Sequence, residues 1–236
     1  MSVGVNEIVT VTTQTQGVPS VAPVLPKSPG SCTFPRSHKD DFDGVVVGQE
    51  AKYFQDMHGA FEAVKANEAG RGMVMRQMAV GEPLGFHGTD GPPLSVLGAQ
   101  AVSNDSHVSV EFLIEKAGGT NAAVLGSHIT NAQCGHCGVY FSVGGAGSWH
   151  VGPSVVPAGA WKSGTLKSTA IAGAWHTMAL NVTAPGFATG WVDGEQIFHA
   201  QVTVTPCFLH FLRFLHYLHL VLTFGGEKWL SFRRRT

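Results

Sequence analysis

Charged residues make up only 13 % of the 236-residue chain, against 44 % hydrophobic ones. So little charge, with so much apolar material for a core, excludes a solvated disordered polymer. The formal net charge is −1, so no global field recruits nucleic acid, and no nucleic-acid partner is expected. Four cysteines, Cys32, Cys134, Cys137 and Cys207, are too few for a disulfide scaffold. The first seven residues lack a basic stretch leading into an apolar run, so no signal peptide is expected there. Helical periodicity is also scarce. Residues 48–64 offer a short helix, and their glycines argue against a long one.

Glycine is abundant instead, with 30 residues beside 12 prolines, which favours many turns and an all-β fold. Short runs of strand character fall at 73–78, 95–97, 108–114, 122–128, 139–143, 148–151, 176–182, 187–192 and 197–201. Residues 108–114 alternate apolar and polar side chains, as a half-buried strand requires. Asp193-Gly194 between two such runs is a two-residue hairpin signal. Strands this short and this numerous suit two antiparallel sheets packed face to face.

Four segments follow. Residues 1–15 hold one strand-like stretch, and 16–37 are a proline-rich linker that reads as extended backbone. Residues 38–206 form the sandwich. Residues 207–236 are a divergent tail in which Phe-Leu-His, Phe-Leu-Arg, Phe-Leu-His and Tyr-Leu-His repeat with a period of three over 208–219. That period fits neither strand nor helix well. As a strand it would place Arg213 and three histidines on both faces, so the tail is not expected to close the sandwich. As a helix over 207–222 it keeps about half its circumference apolar, and helix is the better-patterned alternative. His210, Arg213, His216 and His219 interrupt the run, so no membrane span is expected.

Order and spacing of several short motifs carry a resemblance. Ile8-Val-Thr-Val-Thr-Thr13 is followed by Leu25-Pro-Lys-Ser28 and Lys39-Asp-Asp-Phe42. Next come Ala51-Lys-Tyr-Phe-Gln-Asp-Met-His-Gly-Ala-Phe-Glu62, Met75-Arg-Gln77 and the stretches 104–114 and 121–126. Gly138-Val-Tyr-Phe141 and Trp175-His-Thr-Met-Ala-Leu180, leading to Gly190-Trp-Val-Asp193, complete the series. Over residues 6–205 the chain resembles the galactocerebrosidase (galactosylceramidase) family of glycoside hydrolases. The resemblance implies a lectin-like sandwich of concanavalin or jelly-roll type at 38–206. It also implies that 1–15 is the last strand of a preceding small sandwich. A catalytic barrel would be the partner domain, and galactosylceramide or a related glycolipid would be met through the full-length enzyme, in the lysosome. No glutamate here matches a catalytic motif of the family, so no catalytic residue is assigned. A free-standing carbohydrate- or glycolipid-binding module is the alternative.

Candidate site residues follow from chemistry and resemblance together. Trp149 and Trp161 lie near Gly/Pro turns and are the expected sugar-facing indoles, whereas Trp175 and Trp191 lie in strands and are expected in the core. The resemblance implies a structural Ca²⁺ near Asp41, with Asp40 and Asp43 beside it; the competing reading is a turn whose carboxylates bond its own backbone. Asn104 and Asn181 open sequons for glycosylation. Cys134-Gly-His-Cys137 matches a redox tetrapeptide, but a strand-like run follows it and no βαβ pattern surrounds it.

Overall fold

The computed structural model describes residues 37–79, 93–97, 105–116, 121–129, 136–157, 159–168, 171–183, 186–203 and 228–231. They form 13 strands and no helix: β1 (Phe54–His58), β2 (Phe61–Lys65), β3 (Met73–Gln77), β4 (Leu94–Leu97), β5 (Ser106–Leu113), β6 (Ala122–Ser127), β7 (His136–Gly144), β8 (Ser148–Ser154), β9 (Lys162–Thr165), β10 (Trp175–Thr183), β11 (Phe187–Val192), β12 (Glu195–Gln201) and β13 (Lys228–Ser231). The expected orphan strand and linker lie outside the described residues but for Ser37, as do Asn104, Cys134 and the tail triplets.

Seven strands pair in the order β12-β11-β10-β5-β13-β3-β2, four in the order β6-β7-β8-β9, and β1 pairs with β4. All pairings are antiparallel. The two larger sheets share one core. Val110, Phe112, Met178, Leu180, Phe61 and Met75 of the seven-stranded sheet cluster with Leu125, Val139, Phe141 and Val151 of the four-stranded one. Register explains the facing: Val110 lies opposite Met178 and Val108 opposite Leu180, so the apolar positions of β5 and β10 point the same way. The expected core residues Phe112, Ile114, Val139, Phe141, Met178 and Leu180 are all buried.

Both faces of the four-stranded sheet are covered where β6 and β7 run. Val124 and Tyr140 turn outward from the main core and pack with Leu94, Ile129 and Val155 in a second cluster. The apolar side chains on successive residues of these two strands thus fill two cores. On the seven-stranded sheet, by contrast, the residues alternating with the core positions are half-buried or exposed.

Three expectations need correction. No helix forms over 48–64. Positive φ at Gly48, Tyr53 and Gly59 reverses the chain, and Phe61 and Ala63 are buried in alternation with Glu62 and Val64. The tail does supply a strand: β13 sits between β3 and β5. It forms at Lys228-Trp-Leu-Ser, beyond the period-three stretch on which the contrary expectation rests. Trp191 and Trp175 are half-buried, not core, because each sits on the strand parity opposite the buried residues. The Asp193-Gly194 hairpin is present as expected, both residues having positive φ (49° and 80°).

The β1 end of the molecule carries a pH response. Asp56 accepts a hydrogen bond from the Phe61 amide at 2.6 Å. Burial nonetheless pushes its carboxyl up to about 6 from 3.8, with Glu50 and Glu62 adding to the rise. A folded-state value above the unfolded one means the native state takes up a proton between those two values. This contribution to stability is therefore full below about pH 4 and lost as pH rises through 6. Asp56→Asn should abolish it. Between pH 5 and 7 wild type should lose about 1 kcal/mol relative to that variant, a figure reduced for partial exposure. Thermal melts of both proteins at the two pH values check this; a constant difference contradicts it.

Candidate functional site

The open face of the seven-stranded sheet carries a groove of about 950 Å³ lined by Asn67, Glu68, Arg71, Arg76, Glu115 and Trp175, among others. Alternation on β10 turns Met178, Leu180 and Val182 to the core, so Trp175 and Thr177 stand on the other face. Across the β5–β10 ladder Trp175 lies opposite Leu113, and Thr177 opposite Glu111. Arg76 reaches the same face from β3, where it is opposite Glu62 and, on the other side, Trp229.

Ion pairs hold the groove in shape. Arg71 Nη1 donates to Glu111 Oε2 at 2.7 Å, and Arg71 Nε donates to Glu68 Oε2 at 2.9 Å. The same guanidinium lies 3.9 Å from the centroid of the Trp175 ring, a cation–π contact that fixes the indole. Arg76 Nη2 donates to Glu115 Oε1 at 3.2 Å. Arg71 and Glu111 side chains keep 21 % and 14 % exposure, enough to be reached from solvent while their geometry stays fixed. The result is a half-buried aromatic edge flanked by forked N–H donors and carboxylate acceptors. Such a surface suits a ligand with hydroxyls on its rim and C–H bonds on its face. The three carboxylates are each engaged by a guanidinium.

The sequence-expected sites lie elsewhere. Trp149 stacks on Phe198 with ring centroids 5.7 Å apart. Gly164 lies directly across the ladder, where an added Cβ would meet the indole at 2.9 Å. Trp161 is half-buried against the main core. Asn181 stands in β10 opposite His107 and Thr189.

Asp40, Asp41 and Asp43 each spend an oxygen on a backbone amide. Asp40 Oδ1 accepts from Phe42 N, Asp41 Oδ1 from Asp43 N, and Asp43 Oδ1 from Met73 N at 2.9 Å. Among the described residues no three metal-ligating side chains come together. A calcium ion takes six or more oxygens, and one oxygen of each of these three carboxylates is already engaged by an amide. Asp43 acts instead as a brace: Gly72 has φ 75°, and a Cβ there would lie 2.2 Å from Asp43 Oδ1. Asp43→Ala should cost about 1–2 kcal/mol by orphaning the Met73 amide. Calcium or a chelator should leave the wild-type unfolding midpoint unchanged. A calcium-dependent rise abolished in Asp43→Ala would contradict this.

Sequence reasoning missed Arg71, Arg76, Glu111 and Trp175. The first three join elements about 40 residues apart, and no local spacing signals that contact. Trp175 was accessible through parity, since Met178, Leu180 and Val182 already define the inward side.

Known proteins can be set beside this geometry. The family model described as the galactocerebrosidase C-terminal lectin domain matches residues 56–208. No curated protein matches the chain. Among solved structures, the carbohydrate binding module CBM66 from Bacillus subtilis aligns at 11 % identity with a TM-score of 0.44, over 76 % of this chain and 96 % of that one. The Emp47p carbohydrate recognition domain aligns at 10 % identity and a TM-score of 0.48, over 77 % and 86 %. A Bacillus subtilis protein with a galectin-like fold aligns at 8 % identity and a TM-score of 0.48, over 77 % and 87 %.

Proposed function

The chain belongs to the galactocerebrosidase C-terminal lectin-domain family, and from that premise we propose that it is the glycan-binding, non-catalytic part of a galactosylceramidase. The groove at Trp175 presents the β-galactosyl group of a glycolipid such as galactosylceramide to a partner barrel domain, which carries out the hydrolysis. The observation that carries this reading is the Arg71 guanidinium, pinned between Glu68 and Glu111 and stacked on Trp175. It offers directed donors beside a flat apolar edge, the combination that reads hydroxyl pattern and ring face together. Retaining glycoside hydrolysis needs two carboxyl groups about 5–5.5 Å apart, one free as nucleophile and one exchanging a proton. Glu68, Glu111 and Glu115 are instead committed to arginines. A lysosomal setting agrees with the gain in stability that Asp56 brings in mild acid.

Calorimetric titration with methyl β-galactoside tests the reading, with a nitrophenyl β-galactoside assay alongside. Binding with Kd of about 0.1–1 mM, corresponding to about 4–5.5 kcal/mol, is expected, with no hydrolysis. No heat with any hexose, or turnover lost on mutating a glutamate of this chain, would overturn it.

A further inference from the structure

The open sheet face has a second hollow that the groove does not use. It encloses about 340 Å³ and is lined by His107, Ser109, Thr177, Trp191 and Gly194, among others. Trp191 of β11 lies directly opposite Ala179 of β10, on the same face as Trp175. Its ring stands 6.5 Å from His107 at 60°, an edge-on contact that leaves the pair as a corner of the hollow. The adjoining turn is pinned: the Thr177 amide donates to Asp193 Oδ1 at 2.8 Å, and His176 Nδ1 lies 2.7 Å from Asp193 Oδ2. The end of β11, and with it the Trp191 backbone, is therefore held in register with β10.

Hollow and groove are separate and share no lining residue, but both lie along β10 on one face of the sheet. Trp175 precedes Ala179 by four residues on one strand, so the two indole positions are about 14 Å apart along β10 at about 3.4 Å per residue. Between them stands a polar row, Thr177 opposite Glu111. Thr177 lines the hollow, and Glu111 holds the Arg71 of the groove. Two aromatic platforms separated by hydroxyl and carboxylate along a flat strand match a linear ligand. Its rings can meet the Trp175 edge beside Arg71 at one end and Trp191 at the other while its hydroxyls meet the row between.

We propose that this face binds an extended oligosaccharide running along β10 from Trp175 to Trp191, longer than the single galactosyl group of a simple glycolipid. The proposal rests on the glycan-binding reading of the groove and names its ligand class. The site would then recognise a longer glycan chain, on a complex glycolipid or a glycoprotein, and the single-hexose head group would fill only the Trp175 end.

Calorimetric titration of the full chain with galactose, lactose and the linear tetrasaccharide lacto-N-neotetraose tests the inference. The tetrasaccharide should bind about ten-fold more tightly than galactose. Trp191→Ala should bring it down to the affinity of galactose, and Trp191→Phe should restore part of the gain. Thermal melts show whether each variant is folded. The indole N–H resonance of wild-type Trp191 gives a readout independent of any variant, and should move with the tetrasaccharide and not with galactose. Equal affinity for galactose and tetrasaccharide, or a gain that survives in Trp191→Ala, would overturn the extended ligand and leave the groove reading standing. Absence of binding by all three sugars would overturn both.

Discussion

Deleting residues 207–236 is expected to lower the thermal unfolding midpoint by roughly 6–24 °C. β13 is an interior strand of the larger sheet. Lys228, Trp229 and Leu230 lie opposite Gln77, Arg76 and Met75, while Trp229, Leu230 and Ser231 lie opposite Leu113, Phe112 and Glu111. Without it, β3 and β5 face each other across an empty strand position and the β2–β3 hairpin loses its attachment to the rest of the sheet. Lost hydrogen bonds at about 0.5–1.5 kcal/mol each sum to roughly 3–6 kcal/mol. At about 2–4 °C per kcal/mol for a chain of this size, that is a large shift. The newly exposed edges should also promote association of the truncated protein. Circular-dichroism melts at several protein concentrations read both effects. An unchanged midpoint would show that the strand is dispensable. Glycan binding should fall with the strand, because Trp229 holds the register position between Leu113 and Arg76 that joins the two halves of the groove.

Arg71→Ala is expected to weaken methyl β-galactoside binding by about 10- to 100-fold, equivalent to about 1.4–2.7 kcal/mol. The substitution removes forked donors, leaves the largely buried Glu111 carboxylate without its guanidinium, and frees the Trp175 ring to move. Some loss of stability, about 1–3 kcal/mol, should accompany it, since a partly buried charge has lost its partner. Arg71→Lys should not rescue binding. A lysine is a point charge and cannot span Glu68 and Glu111 while lying flat on an indole. Titration and melting of both variants separate the two effects, and wild-type affinity in Arg71→Lys would reduce the role of Arg71 to simple charge.

Much of the sandwich was legible in the sequence, for identifiable reasons. Alternation on β5 and β10 marks a sheet with one face in the core, and Asp193-Gly194 fixes a hairpin because both positions need positive φ. β9 was missed because Lys162-Ser-Gly-Thr165 is exposed throughout and has no apolar member to alternate. β1 and β2 were obscured by aromatic residues whose spacing also suits a short helix. β13 is four residues long and lies beyond the period-three stretch that dominates the reading of the tail. The candidate site was less legible. Trp149 and Trp161 drew attention through neighbouring glycine and proline, yet Gly164 is small because Trp149 lies across it. The groove depends on partners such as Arg71 and Glu111, which only the pairing of β5 with β10 and the packing of the 66–72 turn bring together.

The most direct measurement is an NMR titration of the indole N–H and Arg71 Nε–H resonances with methyl β-galactoside. Trp175 and Arg71 should shift together along one binding curve, with Trp149 and Trp161 unmoved. Shifts at Trp149 or Trp161 while Trp175 stays still would place the sugar elsewhere and contradict the account.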